Sequence, residues 1–448
     1  MKNITKKLAA ILMSLVMVTA ALTSCGTGNG DTKANTNTSA QAKDGSTAAD
    51  DKSNTDGNDA ATDADATDAP DHEPAAGTNA ENGGAGAADL DGSWPEEKIK
   101  IGVEVYDTTD LTVIAYQEYF NYLAEYYNLE FMFSESISSA EAELNFVDSC
   151  ASAGCKGYIG GYNYSMNEVV DAVTGQGMYY WGAERGLDAE YADNEYYLGG
   201  FKPISSDGTE SDKNGDYLTG YEMAYTLAEQ GCKHVVFCNG GASFGVQMFV
   251  DRQTGFIDGI KAAQADGFDI VFDESKDIIE GWPGTDEFAA AQTSALDSDY
   301  DGVAVAFSGL QIWIQPIATA GKSDAIKLAG VGAVSDSLLD VAKSGQLSCL
   351  IYECEEVVFG NAVAMVVNAV TGNASVSKNG TQAGVIPVAR WNITDGETYE
   401  KIYEKHAAGE YYISAQDLAQ CFPQFNPDAT YESICDFYKS FTLENTVK

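Results

Sequence analysis

The sequence predicts an α/β protein: two doubly wound parallel-sheet lobes with a ligand cleft between them, preceded by a signal peptide and a disordered linker. Three observations carry this expectation. From Trp94 onward, short apolar runs alternate with helix-length amphipathic segments as far as about residue 352, the pattern of parallel sheets covered on both faces. Midway, the polar segment Ser205 to Asp216 interrupts that rhythm, and some 355 residues suffice for two separate cores. From Gly26 to about Ser93 there is nothing from which a core could be built.

The first 24 residues read as an export signal. Lys2, Lys6 and Lys7 form a basic head, and Leu8 to Leu22 an apolar stretch shorter than the ~20 residues of a membrane-spanning helix. The alternative, a permanent span, needs a longer run. The ending Leu22-Thr-Ser-Cys25 resembles the lipobox of bacterial lipoproteins. That resemblance implies diacylation of the Cys25 thiol, cleavage before it, and anchoring to the extracytoplasmic face of the cell membrane. From Cys25 to residue 93 the chain is Ala, Asp, Thr, Gly and Asn with almost no aliphatic or aromatic residue, which predicts disorder. A coil of that length spans about 45 Å root-mean-square, enough to hold a domain clear of a bilayer.

Charge narrows the partners. The chain carries 68 acids and 25 bases. Fourteen acids and three lysines fall in the linker and three lysines in the signal, so the remaining domain has 54 acids against 19 bases. Both parts are acidic, which argues against nucleic acid and against electrostatic adhesion to anionic lipid; a solvated, soluble surface is the plain alternative meaning of so much acid. Eight cysteines follow Cys25. Cys232 and Cys238, at the ends of one expected strand, would lie about 20 Å apart, beyond disulfide reach, and Cys349 and Cys354 fail likewise. Cys150 and Cys155, across an expected helix end, could pair. No Cys-x-x-Cys spacing occurs and His72, His234 and His406 are scattered, so no metal and no cofactor is expected.

Element by element, Ile99 to Tyr106 reads as a strand, and Asp110 to Tyr127 as a helix capped by Thr108-Thr109-Asp110. Further strands are expected at Leu129 to Phe133, Gly157 to Gly160, Met178 to Trp181 and Tyr197 to Phe201, with helices at Ser139 to Ala153 and Met166 to Gly175. After the polar passage come the helix Tyr217 to Gly231, the strand His234 to Cys238 and the helix Gln247 to Asp266. Strands at Phe268 to Phe272, Gly302 to Phe307, Ile326 to Val331 and Leu347 to Tyr352 complete the rhythm. One lobe is expected from about 98–204 plus about 355–385, the other from about 205–354 plus part of the tail. The tail, Val385 to Lys448, is Tyr-rich and irregular and is placed only as a closing segment.

With these elements in order, the stretch His234-Val-Val-Phe-Cys-Asn-Gly-Gly241 followed by Arg252-Gln-Thr-Gly-Phe-Ile-Asp-Gly-Ile260 resembles type I periplasmic binding proteins, the solute receptors of sugar-type ABC importers. Met178-Tyr-Tyr-Trp-Gly-Ala-Glu-Arg185 resembles the strand that ends in Asp-Arg in many sugar binders, with Glu184 for Asp. Gly302 to Ser308 and Ala318-Thr-Ala-Gly-Lys322 are similar to the strand and helix end that follow. The likeness covers roughly Lys98 to Gly372. It implies a cleft in which Glu104, Tyr106, Tyr162, Asn163, Glu184 and Arg185 face Arg252, Phe307, Ser308 and Glu353. Carboxylates and arginines suit sugar hydroxyls, and aromatic faces pack on sugar C–H groups; Trp181, Phe249, Trp282 and Trp313 are stacking candidates, with core packing as their competing role. Arg185 and Arg252 have structural ion pairs as theirs. The family often carries an aspartate after the strand that here ends Leu328-Ala-Gly-Val-Gly332, but Ala333 and Val334 follow, leaving Asp336 as a substitute.

The implied function is a non-enzymatic one: capture of a small hydroxylated solute, most readily a sugar, for delivery to an ABC permease and its ATPase. A ligand-sensing receptor for a chemoreceptor or histidine kinase is the alternative. A remote third reading is a serine hydrolase, because Gly241-Ala-Ser-Phe-Gly245 fits Gly-x-Ser-x-Gly after a strand, with Ser243 as nucleophile and His406, in a surface-like segment, as the one downstream histidine.

Overall fold

The computed structural model describes residues 94–447 apart from 162–165, 184–185, 245 and 353. The signal peptide, Cys25 and the linker lie outside the described residues.

The first lobe runs β1 (Ile99–Val103), α1 (Leu111–Tyr127), β2 (Leu129–Phe133), α2 (Ala140–Ser152), β3 (Gly157–Gly160), α3 (Met166–Gly175), β4 (Tyr179–Gly182) and β5 (Tyr197–Ile204). The second runs α4 (Gly215–Glu229), β6 (Val235–Asn239), α5 (Gln247–Ala265), β7 (Ile278–Glu280), α6 (Asp286–Leu296), β8 (Gly302–Ser308), α7 (Ile314–Thr319), β9 (Lys327–Gly332), α8 (Asp336–Lys343) and β10 (Leu347–Tyr352). The chain then returns through α9 (Glu355–Val358) and α10 (Gly360–Asn368), and closes with β11 (Gly384–Ala389), β12 (Trp391–Ile393), α11 (Gly396–Ala407), α12 (Ala415–Leu418), α13 (Tyr431–Lys439) and α14 (Leu443–Thr446).

The two sheets repeat one plan. The first has strand order β11-β5-β4-β3-β1-β2 and the second β12-β10-β9-β8-β6-β7. All pairings are parallel except β12, which is antiparallel to β10. In each sheet the order reverses beside the first strand, between β1 and β3 and between β6 and β8. Ligand crevices open at such reversals, beyond the carboxyl ends of the strands.

Most elements fall within two residues of expectation, and two departures are informative. Phe268 to Phe272 forms no strand: only Val271 bridges His234, because the edge of β6 is taken by Ile278–Glu280. Asp273 and Asp277 fold the connection, the Asp273 N–H donating to the Asp277 carboxylate and the Asp277 N–H to the Asp273 carbonyl. The tail is far more than a closing segment. Its β11 pairs with β5 and its β12 with β10, with only Arg390 between them. Its helix α11 then packs on α8 in the second lobe, and α13 on β11 in the first. Between the two sheets the chain thus passes three times, at 205–214, just after β10 and at Arg390, and the tail crosses again beyond α11.

Two packing features hold the frame. The segment Glu355–Ser377 is long and apolar enough to cross a membrane, but 72% of its most apolar window is buried in the domain, against β3, β4 and β5. In the second lobe, α4 and α5 touch backbone to backbone. A Cβ on Gly220 would lie 1.8 Å from the Arg252 carbonyl oxygen, and one on Gly255 1.9 Å from that of Tyr217. Only glycine permits so close a crossing.

Candidate functional site

The sheet reversals of the two lobes face a common cavity of about 490 Å3. From the first lobe it receives Tyr106 and Asp110, just beyond β1, and Phe201 from β5. From the second it receives Phe249, Arg252, Trp282, Phe307 and Ser308. Arg390, in the third passage between the lobes, also lines it.

Asp110 is the carboxylate of the first wall. It caps α1 by accepting the Thr112 N–H at 2.8 Å, which fixes its side chain at the helix N-terminus, where a negative charge is favoured. Burial pushes its carboxyl above the ordinary range, while hydrogen bonds from the Thr112 N–H, Tyr106, Ser308 and the Val113 N–H pull the other way. Ser308 ends β8, so this contact joins the lobes across the cleft. Asp110 was legible in the sequence as a cap only; its place beyond the first strand was the signal of a second role.

The second wall is aromatic. Trp282 sits 5.5 Å, centroid to centroid, from both Phe249 and Phe307, edge-on to the first and tilted to the second, and it is 50% exposed. A half-exposed indole held by two buried phenylalanines is a rigid apolar face open to the cavity. Ser308 comes close because β8 slips register against β9 between Val305 and Ser308, and Gly332 opposite has φ of 141°.

The floor is cationic but largely committed. Arg252, 6% exposed, donates Nε and Nη2 to Asp216 Oδ1 at 2.9 Å each and Nη1 to the Ala306 carbonyl at 2.7 Å. Three of its five N–H groups thus serve the fold, while the side chain also lines the cavity. Arg390 donates to the Gly215 carbonyl and Thr219 and lies 3.8 Å from Asp216, tying the third passage to the first turns of α4.

Of the residues expected to touch ligand, the structure brings Tyr106, Arg252, Phe307 and Ser308 to the cavity, with the stacking candidates Phe249 and Trp282. Glu104 does not line it: the carboxylate is buried and accepts the Tyr158 hydroxyl at 3.3 Å. Trp181 is a correction. It is fully buried, its indole N–H donating to Asn361 Oδ1 at 3.1 Å, so its face packs on α10 and not on a ligand. Trp313 is likewise buried in the second lobe. Tyr162, Asn163, Glu184, Arg185 and Glu353 lie outside the described residues. Asp336 opens α8, exposed and away from the lining, so it does not replace the missing aspartate.

His406 also departs from expectation. It is no surface residue but a partner in a buried cluster at the second passage. Its Nε2 lies 3.1 Å from Glu356 Oε1, which also accepts the Tyr412 N–H at 2.9 Å. The Cys354 thiol donates to Glu356 Oε2 at 2.9 Å and the Tyr352 hydroxyl to Glu355. Glu355, Glu356 and His406 offer ligand atoms within 4.8 Å of one another, spacing a metal ion could use, but hydrogen-bond donors already occupy the carboxylates. Burial, with the neighbouring Glu356 charge, pushes the Glu355 carboxyl up to about 7 against the opposing pull of His406 and Tyr352. Burial also opposes charge on Glu356 and His406. There the pair wins: Glu356 falls below its ordinary value and His406 rises above its own. No hydrogen bond among the described residues joins the Ser243 hydroxyl to a histidine; the Ser243 N–H donates to Glu280.

No family model matches the chain, and no curated protein matches it. Solved structures do. An ABC transporter solute-binding protein from Bacillus halodurans C-125 with bound myo-inositol aligns at 17% identity and a TM-score of 0.52, covering 69% of this chain and 99% of its own. A periplasmic solute-binding protein from Actinobacillus succinogenes 130z with bound D-allose aligns at 15% identity and 0.53, covering 68% and 99%. A periplasmic ribose ABC transporter structure from Conexibacter woesei DSM 14684 aligns at 16% and 0.52, covering 70% and 97%. With two mainly parallel sheets of one repeated order, three passages between those sheets and a cleft at both reversals, the chain has the type I periplasmic binding protein fold.

Proposed function

We propose that the chain is an extracytoplasmic solute-binding lipoprotein that captures a small neutral, hydroxylated solute, a sugar or polyol, between its lobes and presents it to an ABC permease. The observation that carries the reading is the two-sided cavity: a half-buried carboxylate, Asp110, on one lobe faces an aromatic wall around Trp282 on the other. The carboxylate accepts paired hydroxyls, and the indole covers the C–H face of the same ring. Ligand touching both walls favours the closed arrangement, and closure creates the surface a permease recognises. The solutes named for the structural neighbours, myo-inositol, D-allose and ribose, are of this chemical kind. Lipid on Cys25 would keep the receptor beside its membrane partner at high effective concentration.

The test is a thermal-shift screen of the mature chain against sugars, polyols, nucleosides and amino acids. A sugar or polyol should raise the melting temperature in a concentration-dependent way. If only amino acids or nucleosides do so, the ligand class is wrong; if nothing does, so is the function. Radiolabelled palmitate should enter the wild-type chain and not Cys25→Ser.

A further inference from the structure

Helix α2 ends in a tight motif whose two side-chain positions are both cysteine. Gly154 takes φ of 84°, the Gly154 N–H donates to the Ala151 carbonyl at 3.0 Å, and the Cys155 N–H returns to the Cys150 carbonyl at 2.9 Å. This paired closure brings the side chain two places past the helix cap against the one in the last turn. Here those are Cys155 and Cys150. Both lie in one core cluster under Tyr158, 3% and 0% exposed, and their thiols are hydrogen-bonded to each other. Both are thiols in this structure.

We propose that Cys150 and Cys155 are a thiol–disulfide exchange site, closed to an intrachain disulfide outside the cytoplasm by a low-molecular-weight or protein disulfide. The inference is independent of what the cleft binds. Cys155 is the attacking group: the hydrogen bond from Cys150, with help from the Lys100 charge, draws its thiol down against the effect of burial, while the same bond drives Cys150 up. The Cys155 thiolate attacks one sulfur of the incoming disulfide, forming a mixed disulfide and releasing one thiolate. Cys150 then loses its proton to solvent and attacks the Cys155 sulfur, releasing the second thiolate. Two thiols are oxidised and one disulfide is reduced. Access comes from opening the last turn, where Ser152, Ala153 and Gly154 are already exposed; helix ends are low-stability units. The bond would pin the junction between α2 and β3.

The experiment uses the full chain trapped with N-ethylmaleimide on extraction, and again after equilibration with oxidised glutathione. Tryptic fragment Ile101–Lys156 holds these two cysteines and no other. The expected result is a fragment that takes no label until it is reduced and then takes two. Labelling of both cysteines after oxidation overturns the proposal, and so does a stable glutathione adduct on either one in the wild-type chain. Cys150→Ala should arrest the reaction as a glutathione adduct on Cys155, whereas Cys155→Ala should leave Cys150 unmodified; the reverse pattern contradicts the assigned order of attack.

Discussion

Replacing Glu355 with Gln should stabilise the protein in alkaline buffer and change its stability little in acid. Glu355 is buried beside Glu356 at the second passage between the lobes, and its carboxyl is raised from 4.5 to about 7, chiefly by burial. In the unfolded chain the group ionises near 4.5, so between 4.5 and 7 the unfolded state gives up its proton first. The contribution of Glu355 is therefore fully present below pH 4.5 and lost as pH rises through 7. The difference corresponds to about 3 kcal/mol. Gln keeps an acceptor for the Tyr352 hydroxyl and carries no charge, so it removes that loss. His406 weakens stability in the same direction, its raised value making its contribution present in acid and lost as pH rises. Glu356 does the opposite: its lowered value gives stability in neutral solution that disappears as pH falls. The assay is guanidinium unfolding of wild type and Glu355→Gln at about pH 5 and pH 8. The expected gain is about 3 kcal/mol at the higher pH and less than about 1 kcal/mol at the lower. Equal effects at both, or a loss confined to pH 8, would refute the burial argument.

Three further outcomes follow from the geometry. Asp110→Asn keeps a good helix cap but loses a charged acceptor, so solute affinity should fall by roughly ten- to a hundredfold, about 1.5–3 kcal/mol, with little change in melting temperature; calorimetry beside thermal unfolding separates the two. Arg252→Ala should cost about 2–3 kcal/mol of stability, somewhat below the range for a fully buried pair because Asp216 is partly exposed; an unchanged unfolding midpoint would show that Asp216 and the Ala306 carbonyl do not depend on it. Gly255→Ala forces a methyl into the Tyr217 backbone and should destabilise the second lobe by about 1–3 kcal/mol, read as a drop in melting temperature that Ala at exposed Gly175, where a methyl meets nothing, does not match.

How far the fold could be read from the chain depended on where each strand found its partner. Leu129–Phe133, Gly157–Gly160 and Leu347–Tyr352 are strands at the expected bounds because short apolar runs between helices leave little else for them to be. Phe268 to Phe272 has the same composition, but pairing with β6 is a competition, and Ile278–Glu280 takes most of that edge. The edge strands β11 and β12 pair with Gly199–Ile204 and Leu350–Tyr352, far back in the chain, and no local pattern announces such partners. The site divides on similar grounds. The family resemblance led to Tyr106, Arg252, Phe307 and Ser308, and residue type alone suggested Trp282. Residue type misplaced Trp181, whose indole is consumed by Asn361, and hid the double use of Asp110. It also hid the setting of His406, whose partner Glu356 sits fifty residues away on the return path.

The central claim is that one solute is held by both lobes at once. Isothermal titration of the strongest solute from the screen, into wild type and into Asp110→Asn and Trp282→Ala separately, tests it most directly. One solute per chain is expected, with a negative heat-capacity change from burial of the apolar wall and marked weakening by either substitution, one on each lobe. Full affinity in both variants, or loss confined to one lobe's variant, would contradict a ligand clasped between the walls.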